Sequence, residues 1–261
     1  MFKKSYGIDQ LKELERLYIL YEKYFYHQLL DLSTSEDKNR GQQYQGTADL
    51  DRRRDAPQNR ERSKWHCKKG CDTCCTCNVT MTSLECEYIL TQMSLDERYK
   101  LISLIYQNRS AIRYHPEVTT NGFAQICMDG GDIPIEDNDP SWGKCPLLGE
   151  DHLCPIYEKR PFGCRSLVSE VDCFKSGYAE ISPLTLTVNN IFMQYIEHLD
   201  SGGITGNFTD MMLAAGTWDS VIHDDEKIHI IYNRKARLLM IPPEHRNAVE
   251  PLLKSIFDGK Q

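Results

Sequence analysis

The chain has 261 residues, 40% of them hydrophobic, and its 38 acidic against 31 basic side chains leave a formal charge of -7. That is enough apolar material for one good core and excludes a disordered chain, while the negative charge argues against a nucleic-acid partner, which needs Lys and Arg in excess on one face. No run of about 20 apolar residues occurs, so no membrane-spanning helix is expected.

The start, Met1-Phe2-Lys3-Lys4, leads into a charged helical pattern without the apolar stretch of a signal peptide, so the expected location is a reducing cytoplasm. Residues 11 to 32 carry Leu11, Leu14, Tyr18, Tyr21, Phe25 and Leu32 at helical spacing, interrupted by Gln28. This reads as an N-terminal amphipathic helix, residues 1–33, packed on its own domain. Residues 34–64 then turn polar, with only Tyr44, Ala48 and Leu50 to bury, and read as a flexible linker. Acidic residues interleave with Arg52-Arg53-Arg54 and Arg60-Glu61-Arg62, which makes these a solvated segment and not a nucleic-acid patch.

A cysteine-cluster metal-binding domain is expected over residues 65–180. Of the 11 cysteines, all but Cys173 fall between Cys67 and Cys164. The first group is Cys67, Cys71, Cys74, Cys75 and Cys77. The second is Cys145-Pro146-Leu147-Leu148, Cys154-Pro155-Ile156-Tyr157-Glu158-Lys159-Arg160-Pro161 and Cys164-Arg165. In a reducing compartment clustered cysteines are ligands sooner than disulfides, and thiolate is the soft donor that suits zinc or iron–sulfur iron. The spacing of Cys67, Cys71, Cys74 and Cys75 would place all four thiols on one face of a helix. Lys68, Lys69, Gly70, Asp72, Thr73 and Thr76 supply little apolar surface against which such a stripe would form an ordinary core. Pro146, Pro155 and Pro161 stiffen the second group. Arg165, and with less reason Arg160 and Lys159, would lower thiol pKa values and donate hydrogen bonds to sulfur. His66 adjoins Cys67 as a possible further ligand.

Between the groups, Thr82-Ser83-Leu84-Glu85 and Ser94-Leu95-Asp96-Glu97 have the form of capping boxes. They predict helices over about 83–92 and 95–108 that bury Ile89, Met93, Leu101, Leu104 and Ile105. Residues 115–143 read as an irregular polar loop, broken by Gly130-Gly131, Pro134 and Pro140. Its acids do not match the spacing of a calcium loop. The remainder, 181–261, reads as a helical extension packed on the same domain. Ser182-Pro183 starts a helix that stops at Gly202-Gly203, Asn207 caps another ending near Gly216, and 228–232 with 238–241 reads as a β-hairpin. Val249, Leu252, Leu253, Ile256 and Phe257 mark a last helix stopping at Gly259. The fold class is mostly α with a small β-hairpin (α+β), around an irregular metal-stapled, cysteine-rich core.

The motif from Cys67-x3-Cys71-x2-Cys74-Cys75 through Thr82 and Glu85 to Cys154-Pro-Ile-Tyr-Glu-Lys-Arg-Pro and Cys164-Arg165 resembles the YkgJ-type cysteine-cluster family. That family is described as a zinc- or iron-chelating domain. The resemblance covers residues 67 to 165 and implies a bacterial, cytoplasmic metal-binding protein, with Cys173 as an eighth member. The expected metal set is therefore Cys67, Cys71, Cys74, Cys75, Cys145, Cys154, Cys164 and Cys173, holding zinc or an iron–sulfur cluster. Cys77 and Cys86 are possible substitutes, and Cys127 reads as a lone thiol. The long N-terminal helix, the added cysteines and the C-terminal extension depart from the family pattern.

Two further functions are consistent with the same residues. One is an iron–sulfur oxidoreductase or electron carrier with an unidentified acceptor. The other is a radical S-adenosylmethionine enzyme, because Cys67-x3-Cys71-x2-Cys74 has the spacing of its cluster ligands and Gly130-Gly131-Asp132-Ile133-Pro134 imitates its glycine-rich motif. Helices followed by loop over 78–143 do not supply the strand–helix alternation that such a barrel requires. No catalytic residue emerges.

Overall fold

The computed structural model describes residues 6–36, 66–67, 69–218 and 228–258. The linker expected over 34–64 lies outside the described residues except for 34–36, which form the last turn of a helix, and so does the stop at Gly259. In chain order the helices are α1 (Ile8–Glu36), α2 (Ser83–Thr91), α3 (Leu95–Asn108), α4 (Thr120–Asp129), the one-turn α5 (Phe162–Arg165) and α6 (Cys173–Ser176), α7 (Pro183–Leu199), α8 (Phe208–Trp218) and α9 (Arg246–Asp258). Strands β1 (Thr80–Thr82), β2 (Ile204–Asn207) and β3 (Ile230–Tyr232) form one antiparallel sheet in that order. Thr80 pairs with Asn207 and Ile204 with Tyr232. The chain is thus mostly helical with a small antiparallel sheet. Parallel strands of a barrel are absent among the described residues, and no described helix is long and apolar enough to cross a membrane.

Two apolar clusters build the core. In the first, Leu14, Leu17, Tyr18, Tyr21 and Phe25 of α1 recur along one helical face and pack on Val188, Ile191, Phe192 and Tyr195 of α7 and Val249, Leu252 and Ile256 of α9. Arg16 fixes the crossing of α1 and α9, its guanidinium donating to the carbonyls of Ser255 at 3.0 Å and Ile256 at 2.8 Å near the negative end of α9. The second cluster joins Ile89 and Leu90 of α2, Leu101, Ile102 and Ile105 of α3, and Phe208, Met211 and Met212 of α8. Ile102 takes the place expected for Leu104, which is 37% exposed.

Both capping boxes form as read, with Thr82 and Ser94 as caps answered by Glu85 and Glu97. Ser182 caps α7, with Pro183 in its first turn, and the Asn207 carboxamide accepts from the Thr209 amide at 2.9 Å as α8 begins. Two expectations are corrected. Residues 120–129 are helical, not loop: the Thr119 hydroxyl caps the Gly122 amide, and Gly130, at φ 65°, closes the helix in the left-handed conformation. The Gly130-Gly131 pair was a helix stop and not a sign of irregular chain. Nor is there a hairpin between 228–232 and 238–241. β3 pairs instead with β2, while Gln194 of α7 bonds the Leu238 carbonyl at 3.0 Å and the Met240 amide at 2.8 Å. A side-chain amide thus takes the backbone groups that a second strand would have used.

Two buried carboxylates lock these elements together. Asp200, after α7, accepts from the Ser83 hydroxyl at 2.7 Å, the Leu84 amide at 3.0 Å and the Asn233 carboxamide at 2.9 Å. Glu85 accepts from the Thr82 amide at 2.9 Å and hydroxyl at 3.0 Å, the Tyr18 hydroxyl at 2.8 Å and the Phe162 amide at 2.6 Å. The last two bonds reach α1 and the start of α5. Glu85→Ala would strand four buried donors from three elements, and an unmet buried donor costs about 1–3 kcal/mol. We expect a loss of about 3 kcal/mol or more, read as a lower urea midpoint with an unchanged slope.

Candidate metal centre

The first cysteine group is not helical. Residues 69–79 run as successive turns, with Gly70 at φ 86°. A helix would give its amides to its own carbonyls; here one amide reaches across to the second cysteine segment, and that segment returns another. The Cys77 amide donates to the Gly143 carbonyl at 3.0 Å and the Cys145 amide to the Cys75 carbonyl at 2.9 Å, around an antiparallel bridge between Thr76 and Lys144. At the other end the His66 amide donates to the Ser169 carbonyl at 3.0 Å, and the Ser169 amide returns a 3.1 Å bond to the Cys67 sulfur. Between these ties, Asp72 pairs with His152 at 2.7 Å. The loop is therefore held to the second segment at its start, middle and end.

The prolines do more than stiffen the chain. Cys145-Pro146-Leu147-Leu148 and Cys154-Pro155-Ile156-Tyr157 are the same turn used twice, closed by Leu148 N to Cys145 O at 3.0 Å and Tyr157 N to Cys154 O at 3.2 Å. The backbone amides of Leu147 and Leu148 oppose the rise of the Cys145 thiol, and that of Ile156 opposes the rise at Cys154. Such N–H donors favour the thiolate over the thiol. Cys164 arrives on α5, whose start is held by Glu85 through the Phe162 amide. The neighbouring Gly163 is required by space: a Cβ there would fall 2.6 Å from the Thr80 carbonyl oxygen of β1.

These ties enclose a cavity of about 340 Å³. Its wall includes Cys67, Cys71, Cys74, Cys75, Cys145, Cys154 and Cys164, joined by Cys77. Leu147 and Ile156 bring one apolar cluster to the cavity and Tyr21 and Phe25 of α1 bring the other, so it sits where the two cores meet. Burial pushes the thiols of Cys67 and Cys145 up to about 11, against the bonds from Ser169 and Leu147 respectively. Cys74 is raised first by its hydrogen bond with Cys75 and then by burial. Cys164 is raised by burial and by Cys145 and Cys154 beside it. Arg160 opposes the rise at Cys74, Cys154 and Cys164. The site thus crowds thiols that resist ionisation and aims amides and one guanidinium at them, an arrangement that a bound cation would relieve.

Of the eight expected ligands, seven line the cavity. Cys173, on α6, stands outside that wall but within electrostatic reach of Cys67. Cys77, considered only as a substitute, is in the wall; Cys86 is sealed in the second core beside Met211 and Met212, and Cys127 is exposed on α4. All 11 cysteines are free thiols. Among the described residues no three Cys, His, Asp or Glu side chains are gathered closely enough to hold a metal ion without movement. Arg165 does not donate to sulfur as expected. Its buried guanidinium donates to the Arg160 carbonyl at 2.9 Å and the Glu158 carbonyl at 2.5 Å, pairs with Glu22, and lies 4.2 Å over the Tyr18 ring. Lys159 turns away to the Gln92 carbonyl. The charge near the thiols is therefore that of Arg160, which stacks 3.8 Å over the Tyr157 ring. Tyr21 and Phe25 of α1 were read as ordinary packing, yet with Glu22 they form one wall of the cavity. The aromatic density of the α1 stripe was the available signal.

No family model, no curated protein and no solved structure matches this chain.

The raised thiols set the sign of a pH effect in the metal-free protein. Folding favours their neutral form, so that contribution to stability is complete below the ordinary value of 9.0 and is lost as pH rises through about 11. Urea midpoints measured between about pH 8 and about pH 11 should fall steadily, and bound metal should flatten the decline.

Proposed function

We propose that this chain is a metal-binding protein that chelates zinc or an iron–sulfur cluster through Cys67, Cys71, Cys74, Cys75, Cys145, Cys154 and Cys164, with Cys173 at the rim. The observation that carries this reading is the convergence on one cavity of seven thiols from two segments about 70 residues apart in sequence. The donor set fits: thiolate is the preferred donor of zinc and iron–sulfur iron, and the Ser169 amide already bonds the Cys67 sulfur. This is also the function implied by the resemblance to the YkgJ-type family, and a reducing cytoplasm, where thiols persist, suits it.

The metal acts here as a staple. Residues 69–79 bury few apolar side chains, so cation–sulfur bonds supply the folding energy that packing does not. This chain's own residues do the rest: the Cys-Pro turns hold sulfurs and donors in register, Arg160 offsets negative charge, and Tyr21 and Phe25 exclude water on one side. A second reading, an iron–sulfur electron carrier, is favoured by volume. At about 340 Å³ the cavity exceeds the room of a single tetrahedral ion, a water molecule's share of the liquid being only about 30 Å³.

Purification without oxygen, followed by metal and sulfide analysis, tests both. Zinc in a colourless protein supports the staple alone; iron with equivalent sulfide in a brown protein supports the electron carrier. Cys145→Ala should lose most of the metal and the cooperative thermal transition, as should chelation of the parent. Parent protein that melts unchanged after chelation would remove the reading.

A further inference from the structure

The loop that carries Cys71, Cys74 and Cys75 is fastened at three places, and the fastenings differ in kind. At its start the tie is to Ser169, 1% exposed, whose carbonyl accepts from the His66 amide and whose amide donates to the Cys67 sulfur. At its end the tie is the backbone bridge between Thr76 and Lys144, flanked by bonds of 3.0 Å and 2.9 Å. In the middle it is a pair of side chains. The Asp72 carboxylate lies 2.7 Å from His152 Nδ1, and these side chains are 28% and 63% exposed. Water competes for such a pair, so this is the fastening that opens at least cost.

His152 belongs to a turn, residues 149–153, that joins the two Cys-Pro turns. The His152 amide donates to the Gly149 carbonyl at 3.0 Å, the Gly149 amide to the Leu153 carbonyl at 3.2 Å, and the Leu153 amide to the Asp151 carboxylate at 3.1 Å. His152 stands at φ 61°, the one left-handed non-glycine among the described residues. The turn rests directly on the loop: Leu153 Cδ2 lies 3.9 Å from where a side chain on Gly70 would begin. Gly70, Cys71, His152 and Cys154 all line the cavity. Much of the remaining wall is fixed, since Tyr21 and Phe25 are packed in the first core and Cys164 is held by Glu85 through α5. No three described donors stand close enough to hold an ion without movement. That movement falls to the loop beneath the 149–153 turn.

We infer that residues 149–153 form a strap across the solvent side of the cavity, fastened to the cysteine loop by Asp72 and His152, and that its unfastening is the step that admits a cation to the thiols. The inference rests on the metal-binding reading for what passes and adds how passage is controlled. The strap sets the rate of exchange and not the number of ions held, because neither Asp72 nor His152 is among the expected ligands.

Access is read in the full chain, metal-free and reduced, from the rate at which iodoacetamide alkylates each cysteine, resolved by peptide mass spectrometry. Asp72→Asn and His152→Asn, the latter keeping a residue that tolerates the left-handed backbone, should each speed alkylation of Cys71, Cys74 and Cys154 by about two- to fivefold, the range that an exposed ion pair supplies. The double variant should gain no more than either single one, and Asp72→His with His152→Asp should return the rate toward the parent's. Cys127, exposed on α4, should label equally in all of them, and Cys86 should stay unlabelled, which shows the cores intact. Zinc-loaded protein should lose its metal to a chelator faster by the same factor. Parent-rate labelling in both single variants, or gains that multiply in the double one, overturns the strap even where the parent binds metal. Faster labelling in a protein that takes up neither zinc nor iron overturns the metal-binding reading and leaves the strap standing, which separates the two failures.

Discussion

Everything near the cysteines depends on a carboxylate that the solvent does not see. Glu85 is 3% exposed, and its oxygens accept from β1, α1 and α5 at once. In a capping box the glutamate ordinarily answers only its own N-cap residue. Here the Oε2 oxygen does that, while Oε1 receives the Tyr18 hydroxyl and the Phe162 amide. The Phe162 bond matters most because α5 is a single turn, too short to hold itself together, and Cys164 is its third residue. Position is given to that thiol by a helix 77 residues earlier in the chain.

This arrangement separates two problems that a cysteine-rich segment faces. Thiols must be brought together, which costs backbone entropy, and must be kept from collapsing into an ordinary apolar core, where they would be inert. Cys86 shows the second outcome: sealed among Met211, Met212 and Ile89, its thiol is pushed far up by burial and donates only weakly to the Met211 carbonyl. Burial raises several of the cavity thiols too, but these line open space, because their loop is tied edge to edge by backbone bonds at Thr76–Lys144 and Ser169 and two separate cores meet there without merging.

How much was legible in the sequence follows from how local each signal is. Capping boxes at Thr82 and Ser94, the Ser182-Pro183 start and the α1 stripe depend on residues within a turn or two, and the structure has them where the spacing put them. The hairpin failed because strand pairing is non-local: β3 had two possible partners, and the side chain of Gln194 removed one of them. α4 was hidden by reading Gly130-Gly131 as disorder when one glycine was a left-handed stop. Among the cysteines, type and clustering were visible, and seven of the eight singled out line one cavity. Their local form was not, since i, i+4, i+7 spacing describes a helical face equally well as a loop of turns bridged at Thr76 to the distant Lys144. Arg165 was preferred over Arg160 as the partner of sulfur because what draws it away, Glu22 and Tyr18, belongs to a helix more than a hundred positions earlier.

That last contact gives α1 a role beyond packing. Arg165 immediately follows Cys164; it is buried, pairs with Glu22 and stacks on Tyr18, and α1 also supplies Tyr21 and Phe25 to the cavity wall. The Tyr21 hydroxyl in turn donates to Asn189 of α7 at 2.7 Å, and the Asn189 amide reaches the Ser166 carbonyl at 3.1 Å, just past α5. The short helix that presents Cys164 is thus gripped by α1, α2 and α7 through Arg165, Glu85 and Asn189. A cation that draws Cys164 inward would pull against all three grips, and its affinity would include their stiffness. The N-terminal helix, which in sequence stands apart from the cysteines, is in the fold one of the elements that sets how tightly they can close.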